Sequence, residues 1–145
     1  MPYGSGRLSL ASKDVKTQPQ LDYRYLDDHR DLDRLREGTK VELRLALEPS
    51  LQAVLEGRTL PKDVDINSDD AIDCWMKATA STSHHSCGTC KMGPTTDTMA
   101  VVDQYCRIHG LEGIRVVDAS IMPNVIRANT NATSVMIGER VAEWI

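Results

Sequence analysis

The chain has 145 residues and a formal net charge of −4, from 17 Lys and Arg against 21 Asp and Glu. With 41% hydrophobic and 26% charged residues it has a globular composition, which argues against full disorder. The mild negative charge and the lack of a basic cluster predict that it does not bind nucleic acid. The sequence has no apolar run long enough to predict a transmembrane helix. The first ten residues do not resemble a signal peptide, so a cytoplasmic protein is expected.

The first part of the chain alternates between polar and apolar residues before it becomes helical. Two short alternations predict β-strands near residues 7–10 and 21–25. Leucine and valine residues at helical spacing then predict a helix near residues 31–47, which ends before Pro49. Glycine and proline within residues 56–66 predict a surface loop there.

The second part of the chain places a polar loop between predicted regular elements. Acidic residues at a helix start predict a helix near residues 69–80. Residues 81–98 are rich in Ser, Thr, His, Cys and Gly, a composition typical of loops that carry chemistry. Short β-branched runs predict strands near residues 100–102 and 114–117, and a last helix is predicted near residues 133–144. Together these elements predict an α+β fold whose better-packed part lies toward the C-terminus.

Four residues have the spacing of a zinc site. Cys87 and Cys90 form a C-x2-C pair, and Cys106 and His109 form a C-x2-H pair further along the chain. Two such pairs can supply the four ligands of tetrahedral zinc, so a zinc-stabilised binding module is one hypothesis. The same cysteines are also explained as small loop residues and one buried hydrophobic residue. A redox dithiol is a third interpretation, but the strand-to-helix context of such motifs is missing here.

A longer set of motifs points to a known family. Residues 84–93, HHSCGTCKMG, resemble the H-x-x-G-T-x-x-M-G signature of the glucose–methanol–choline (GMC) flavin oxidoreductases. The family's later motifs are matched in the same order by residues 100–103 (AVVD), 107–123 (RIHGLEGIRVVDASIMP) and 129–140 (NTNATSVMIGER). Because several ordered motifs outweigh one zinc-like spacing, the GMC resemblance is the main hypothesis and the zinc module is the alternative.

The resemblance implies that the chain works as part of a longer enzyme. In this family the matching region is the C-terminal, substrate-side and catalytic domain, so residues 1–145 are expected to form that domain. It contributes strands to an antiparallel substrate-side sheet with flanking helices, and a strand and the last helix to the layer beside FAD. The glycines include no G-x-G-x-x-G loop, so the Rossmann half that holds FAD is expected to be absent. An FAD-binding domain, in cis or as a separate chain, is therefore the expected partner.

The resemblance also implies a reaction and the two residues that carry it. Family members oxidise an alcohol by hydride transfer to FAD, which implies a small primary alcohol as substrate, an aldehyde as product and no activity without the missing domain. The base that takes the hydroxyl proton is the histidine of the first motif, which matches His85 rather than His84. Its polar partner in the last loop matches Asn129, with Asn131 as the other candidate.

Four positions are expected to contact the cofactor through the same resemblance. Asp118 and Ala119 match the end of a strand that approaches the flavin, where a small side chain lets the backbone come close. Thr130 and Asn131 are expected to offer backbone N–H groups to the flavin pyrimidine edge, because a helix N-terminus favours negative charge. Without the resemblance, such residues are explained as ordinary loop, turn and strand-end residues.

Overall fold

The structure is a computed structural model that describes residues 1–62 and 64–145. Its regular elements in that part of the chain are two strands, four α-helices and one 3-10 helix, which confirms the α+β class. The chain divides into two compact units, one of residues 2–81 and the other of residues 82–145 together with Met1. The predicted loop at 56–66 includes residue 63, which lies outside the described residues. None of the described helices has the length and hydropathy needed to span a bilayer.

The two strands of the first unit form a small antiparallel sheet. β1 (Arg7–Ser9) pairs with β2 (Gln20–Asp22), and Leu8 lies opposite Leu21. The strand predicted at 7–10 is confirmed, whereas the strand predicted at 21–25 pairs only as far as Asp22. Arg24 and Leu26 have φ angles of 50° and 61°, so the chain leaves the extended conformation directly after the sheet.

Three helices follow in the same unit, and the two long ones lie close to the predicted positions. They are α1 (His29–Leu45), the short α2 (Pro49–Gln52) and α3 (Asp69–Thr79). Side chains cap the two long helices: Asp28 accepts a hydrogen bond from the Arg30 amide at 3.0 Å, and Ser68 accepts one from the Ala71 amide at 3.2 Å. These caps satisfy amides that have no partner within the helix, which explains why both helices begin where they do.

Ion pairs and one apolar patch hold α1 against α3. Arg36 reaches Asp73 at 2.6 Å, and Lys40 reaches Asp69 at 2.6 Å. Ile72 of the same helix pair is fully buried, and Met76 of α3, which is 2% exposed, accepts a hydrogen bond from the Thr39 hydroxyl of α1 at 3.7 Å. Burial of a whole isoleucine side chain contributes about 1.5–3 kcal/mol, more than an exposed ion pair does. The apolar contact therefore stabilises the helix pair, and the charges fix its register.

The second unit is built around four buried residues: Val102, Cys106, Ile121 and Val141. Ile121 ends a 3-10 helix (Ala119–Ile121), and Val141 lies near the end of α4 (Thr130–Ala142). The last helix was predicted at 133–144, and it begins three residues earlier with Asn129 at its cap position. The polar first turn has low helix propensity, which explains why sequence alone assigned it to the preceding loop.

The strands predicted at 100–102 and 114–117 are wrong: neither segment forms a strand in the described part of the chain. Only isolated bridges occur there, between Val102 and Ile108 and between Arg107 and Arg115, besides one from Met92 to Val102. Cys106, Gly110 and Gly113 all have positive φ angles, of 62°, 79° and 73°. The backbone therefore turns every few residues, and each pairing ends after one residue pair.

The cap of α1 is expected to make stability depend on pH. Its side-chain hydrogen bond with Arg30 lowers the pKa of Asp28 from 3.8 to about 2. Because the folded-state value lies below the unfolded one, the stabilisation is present above about pH 4 and is lost as the pH falls toward about 2. Asp28→Asn keeps a capping oxygen but cannot ionise, so its thermal midpoint should lie below that of the wild type near neutrality and converge with it in acid.

Circular dichroism melts across this pH range measure the difference between the two proteins. Asp27→Asn, one residue outside the cap, is the matched control and should follow the wild type throughout. An Asp28→Asn curve parallel to the wild-type curve at every pH would contradict the assigned role of the cap.

Candidate active site

His85 lies beside the first turn of the last helix. Its ring Nδ1 is 3.2 Å from the hydroxyl oxygen of Thr130, the first residue of α4. Thr130 is 8% exposed and His85 is half-buried, so solvent reaches part of His85 but little of Thr130. The structure thus brings the predicted base next to the residues that were predicted to meet the cofactor.

Backbone hydrogen bonds hold the loop that carries His85. Three alternate amides of this loop donate to three successive carbonyl groups of the 3-10 helix: Gly88 to Ala119 at 3.4 Å, Cys90 to Ser120 at 3.0 Å, and Met92 to Ile121 at 2.8 Å. Because the bonds are between main-chain groups, they fix the path of the loop beside the 3-10 helix. The loop after His85 and the predicted cofactor position Ala119 therefore form one continuous structure.

The two adjacent histidines differ in their surroundings. His84 is exposed, has a φ angle of 64°, and donates its amide hydrogen to the Thr82 hydroxyl at 2.9 Å. This bend turns the backbone so that His85, and not His84, meets α4. The prediction that distinguished His85 from its neighbour agrees with this arrangement, while its catalytic role stays a prediction.

Asp118 caps the 3-10 helix. Its carboxylate accepts a hydrogen bond from the Ser120 amide at 2.8 Å and another from the Ser120 hydroxyl. Through these bonds it holds the turn that presents Ala119, whose side chain is half-buried. The local role of Asp118 is therefore to shape the backbone beside the predicted cofactor position.

The start of α4 offers unused hydrogen-bond donors. Asn129 occupies the cap position, but its side chain makes no capping hydrogen bond, and Asn129 and Asn131 are both exposed. The first amides of a helix have no partner within it, and they carry a partial positive charge. This donor set fits the carbonyl oxygens and ring nitrogens of a flavin pyrimidine edge, so the residues present are compatible with FAD at this end of α4.

The four predicted zinc ligands are not brought together. Residues 1–62 and 64–145 contain no cluster of three or more His, Cys, Asp or Glu side chains that could hold a metal ion. Cys106 is 2% exposed in the core, and His109 Nε2 donates to the Gly93 carbonyl oxygen at 3.0 Å. Burial raises the pKa of both Cys87 and Cys106, which disfavours the thiolate that zinc needs. The zinc alternative therefore has no support in the geometry of the described residues.

Two features of the site were not found from the sequence. The Thr130 side chain was assigned no role, although its position directly after Asn129 was the available signal. His109 and Asp103 belong to the matched motifs, yet they act on the backbone: His109 binds Gly93, and Asp103 accepts the Arg107 amide at 3.0 Å. These residues support the loops that frame the site.

The chain belongs to the GMC oxidoreductase family, whose model matches residues 2–138. An oxygen-dependent choline dehydrogenase from Cronobacter sakazakii is 40% identical over 140 residues, which are 97% of this chain and 24% of that protein. Among solved structures, pyridoxine 4-oxidase from Mesorbium loti is 32% identical with a TM-score of 0.85, and the match covers 96% of this chain and 26% of that one.

A more distant structure shares the fold. An FAD-dependent oxidoreductase from Chaetomium thermophilum is 24% identical with a TM-score of 0.82, covering 95% of this chain and 24% of that one. The chain spans about a quarter of the length of the curated relatives it matches, 24% for the Cronobacter protein. The similarity thus extends over nearly all of this chain but over only part of each relative.

Gly88 is expected to tolerate no side chain. Its φ angle is 83°, and a Cβ atom there would lie 3.2 Å from the carbonyl oxygen of Met122. Gly88→Ala should lower the free energy of unfolding by about 1–3 kcal/mol, because alanine disfavours positive φ and would also displace the loop. Gly38 in α1 meets nothing within 4 Å, so Gly38→Ala should raise stability by about 0.5–1 kcal/mol. Denaturant unfolding measures the free energy of unfolding of both variants. Equal changes in Gly88→Ala and Gly38→Ala would contradict the strain assigned to Gly88.

Proposed function

We propose that this chain is the C-terminal, substrate-side and catalytic part of an FAD-dependent oxidoreductase that oxidises a primary alcohol to an aldehyde. Membership in the GMC oxidoreductase family supports the reaction class. Choline dehydrogenase and pyridoxine 4-oxidase are named for substrates that carry a primary hydroxyl group, which supports the substrate class. The observation that carries the proposal is the position of His85 beside the uncapped start of α4.

His85 serves as the base in this proposal. A primary alcohol becomes an aldehyde by losing a proton from oxygen and a hydride from carbon. FAD, when bound, would supply the acceptor for the hydride. The imidazole of His85 takes the hydroxyl proton, a task that suits histidine because its pKa ordinarily lies near neutrality. His85 is half-buried, so part of the residue is accessible to a substrate.

Asn129 orients the substrate hydroxyl in this proposal. Its amide group can donate and accept hydrogen bonds without changing charge. The side chain is exposed and is not used to cap α4, so it is free to contact a ligand. Asn131 is the other candidate for this role, and it too is exposed at the start of the helix.

The flavin edge is held by main-chain groups in this proposal. The amides of Thr130 and Asn131 point along the start of α4, where the helix favours negative charge. Ala119 presents only a methyl group, which lets the backbone approach a flat ring. Asp118 contributes by holding the turn at Ala119 through its bonds to Ser120.

An FAD-binding domain is the partner in this proposal, in cis or as a separate chain, and residues 1–145 form a domain that is incomplete without it. Leu8 and Leu21 face each other across the two-stranded sheet, yet they are 46% and 54% exposed. A two-stranded sheet is marginal alone, so β1 and β2 are expected to join a larger antiparallel substrate-side sheet. The segment near 114–117 and α4 would belong to the layer beside FAD. The cytoplasmic location stays a prediction.

Replacement of the base should remove most of the activity. In the FAD-containing assembly, His85→Asn is expected to lower kcat/KM for a primary alcohol roughly a hundredfold or more, the usual effect of losing a general base. Asn129→Ala should cost less, because it removes an orienting group and not the proton acceptor. Steady-state assays with choline and a panel of aliphatic and aromatic alcohols, coupled to a dye acceptor, measure both effects.

The neighbouring histidine provides the matched control. His84→Asn makes the same substitution one residue away, and asparagine tolerates the positive φ angle of that position. It should keep a kcat/KM close to that of the wild type. Equal rates for His85→Asn and the wild type would remove His85 from the mechanism.

The 145-residue chain by itself is expected not to oxidise alcohols, because in this proposal an FAD-binding domain supplies the rest of the cofactor site. Purified chain with added FAD, alcohol and a dye acceptor should give no turnover above a blank with free FAD. The FAD-containing assembly is the positive control in the same assay. Turnover by the chain alone would refute the need for a separate FAD-binding domain.

A further inference from the structure

The two ring nitrogens of His85 have different surroundings. Nδ1 lies 3.2 Å from the Thr130 hydroxyl oxygen, and among the described residues this is the single hydrogen bond of the ring. Nε2 is left without a protein partner in that part of the chain. If His85 accepts a proton from a substrate, Nε2 is therefore the atom available to receive it.

A neutral imidazole can accept a proton at Nε2 only when its own proton is on Nδ1. The tautomer is set by the hydrogen bond that the other nitrogen makes. A hydroxyl oxygen that accepts from Nδ1–H favours the tautomer with a lone pair on Nε2. A hydroxyl that donated to Nδ1 would instead favour a proton on Nε2, which would block proton transfer there.

Thr130 is in position to influence which neutral tautomer the His85 ring adopts. It is 8% exposed, so its hydroxyl group is shielded from competing water. As a β-branched residue at the start of α4 it has few rotamers, and its carbonyl group is fixed by the Ser134 hydroxyl at 2.9 Å. The hydroxyl oxygen that faces His85 therefore has few alternative positions.

We propose that Thr130 is a positioning residue: its hydroxyl oxygen accepts a hydrogen bond from His85 Nδ1–H and keeps the Nε2 lone pair free for the substrate hydroxyl proton. This role rests on the proposed function of His85 as the base. It differs from the backbone role of Thr130, because it uses the side chain and acts through His85. The role needs the hydroxyl group and not the shape of the residue.

The tautomer of His85 can be measured directly. Protein labelled with 15N at its histidine rings gives long-range 15N–1H spectra that distinguish the two neutral tautomers, and His85→Asn assigns the signal. In the wild type we expect the neutral ring to carry its proton on Nδ1, in the 145-residue chain and in the FAD-containing assembly alike. In Thr130→Val, which keeps the shape, we expect a shift toward the Nε2–H tautomer; Thr130→Ser should restore the wild-type spectrum.

Two internal controls separate this effect from a loss of structure. The His109 ring donates to Gly93 and should keep its signals in every variant. Thr133→Val removes a hydroxyl group from the same helix and should leave the His85 tautomer unchanged. If Thr130→Val also loses the His109 signals, that variant is unfolded at the site. The test then rests on Thr130→Ser, which should keep the wild-type His85 tautomer and rate if the hydroxyl group sets the tautomer.

Activity of the FAD-containing assembly gives the second readout. Thr130→Val should lower kcat/KM about tenfold, the effect of one lost hydrogen bond, and Thr130→Ser should recover most of it. A wild-type tautomer and rate in Thr130→Val, or an Nε2–H ring in the wild type, would overturn the role of Thr130. If Thr130→Val shifts the tautomer while His85→Asn remains fully active, the positioning contact stands and the proposed role of His85 fails.

Discussion

Three backbone hydrogen bonds between the His85 loop and the 3-10 helix at 119–121 hold the candidate site together. The 3-10 helix ends at Ile121, which packs in the same core as Val141 of α4. A connected path therefore runs from the loop through the core to the helix that carries Thr130. If this path were interrupted, His85 would have no fixed position relative to α4, and its contact with Thr130 would be lost.

Several residues of the family motifs serve this framework and do not face the proposed chemistry. His109 binds the Gly93 carbonyl group, and Asp103 holds the turn before Arg107 with its carboxylate. Cys106 fills the core at a position where φ is 62°. The cysteine and histidine spacing that suggested zinc thus follows from packing and loop support. The framework explains why polar and sulfur-containing residues cluster here without forming a metal site in the described part of the chain.

The first unit reaches its stability in a different way. Its helices α1 and α3 are joined by ion pairs and carry the buried side chains Leu43, Ile72 and Met76, while its sheet leaves both faces exposed. Leu8 and Leu21 pair across this sheet and remain 46% and 54% exposed, so the sheet leaves apolar surface that a partner could cover. The exposed sheet and the uncapped start of α4 both fit a chain that functions in contact with an FAD-binding domain.

The sequence determined the features that depend on neighbouring residues in the chain. The long helices and the caps at Asp28 and Ser68 follow from local spacing and local hydrogen bonds, and the ordered motifs identified the family. Within the site, the loop signature predicts His85 rather than His84 as the base, and His85 is the histidine that contacts Thr130 of α4. The position of β1 was predicted to within one residue, because an alternating pattern beside a turn is a local signal.

Only the tertiary structure decided how distant segments meet. The segments at 100–102 and 114–117 have the composition of strands, but positive φ angles between them bend the chain before ladders can form. The contact of His85 with Thr130 joins residues 45 positions apart, and no local pattern encodes it. It arises because the loop, the 3-10 helix and α4 share one core, and the burial of that core fixes which polar groups come within hydrogen-bond distance.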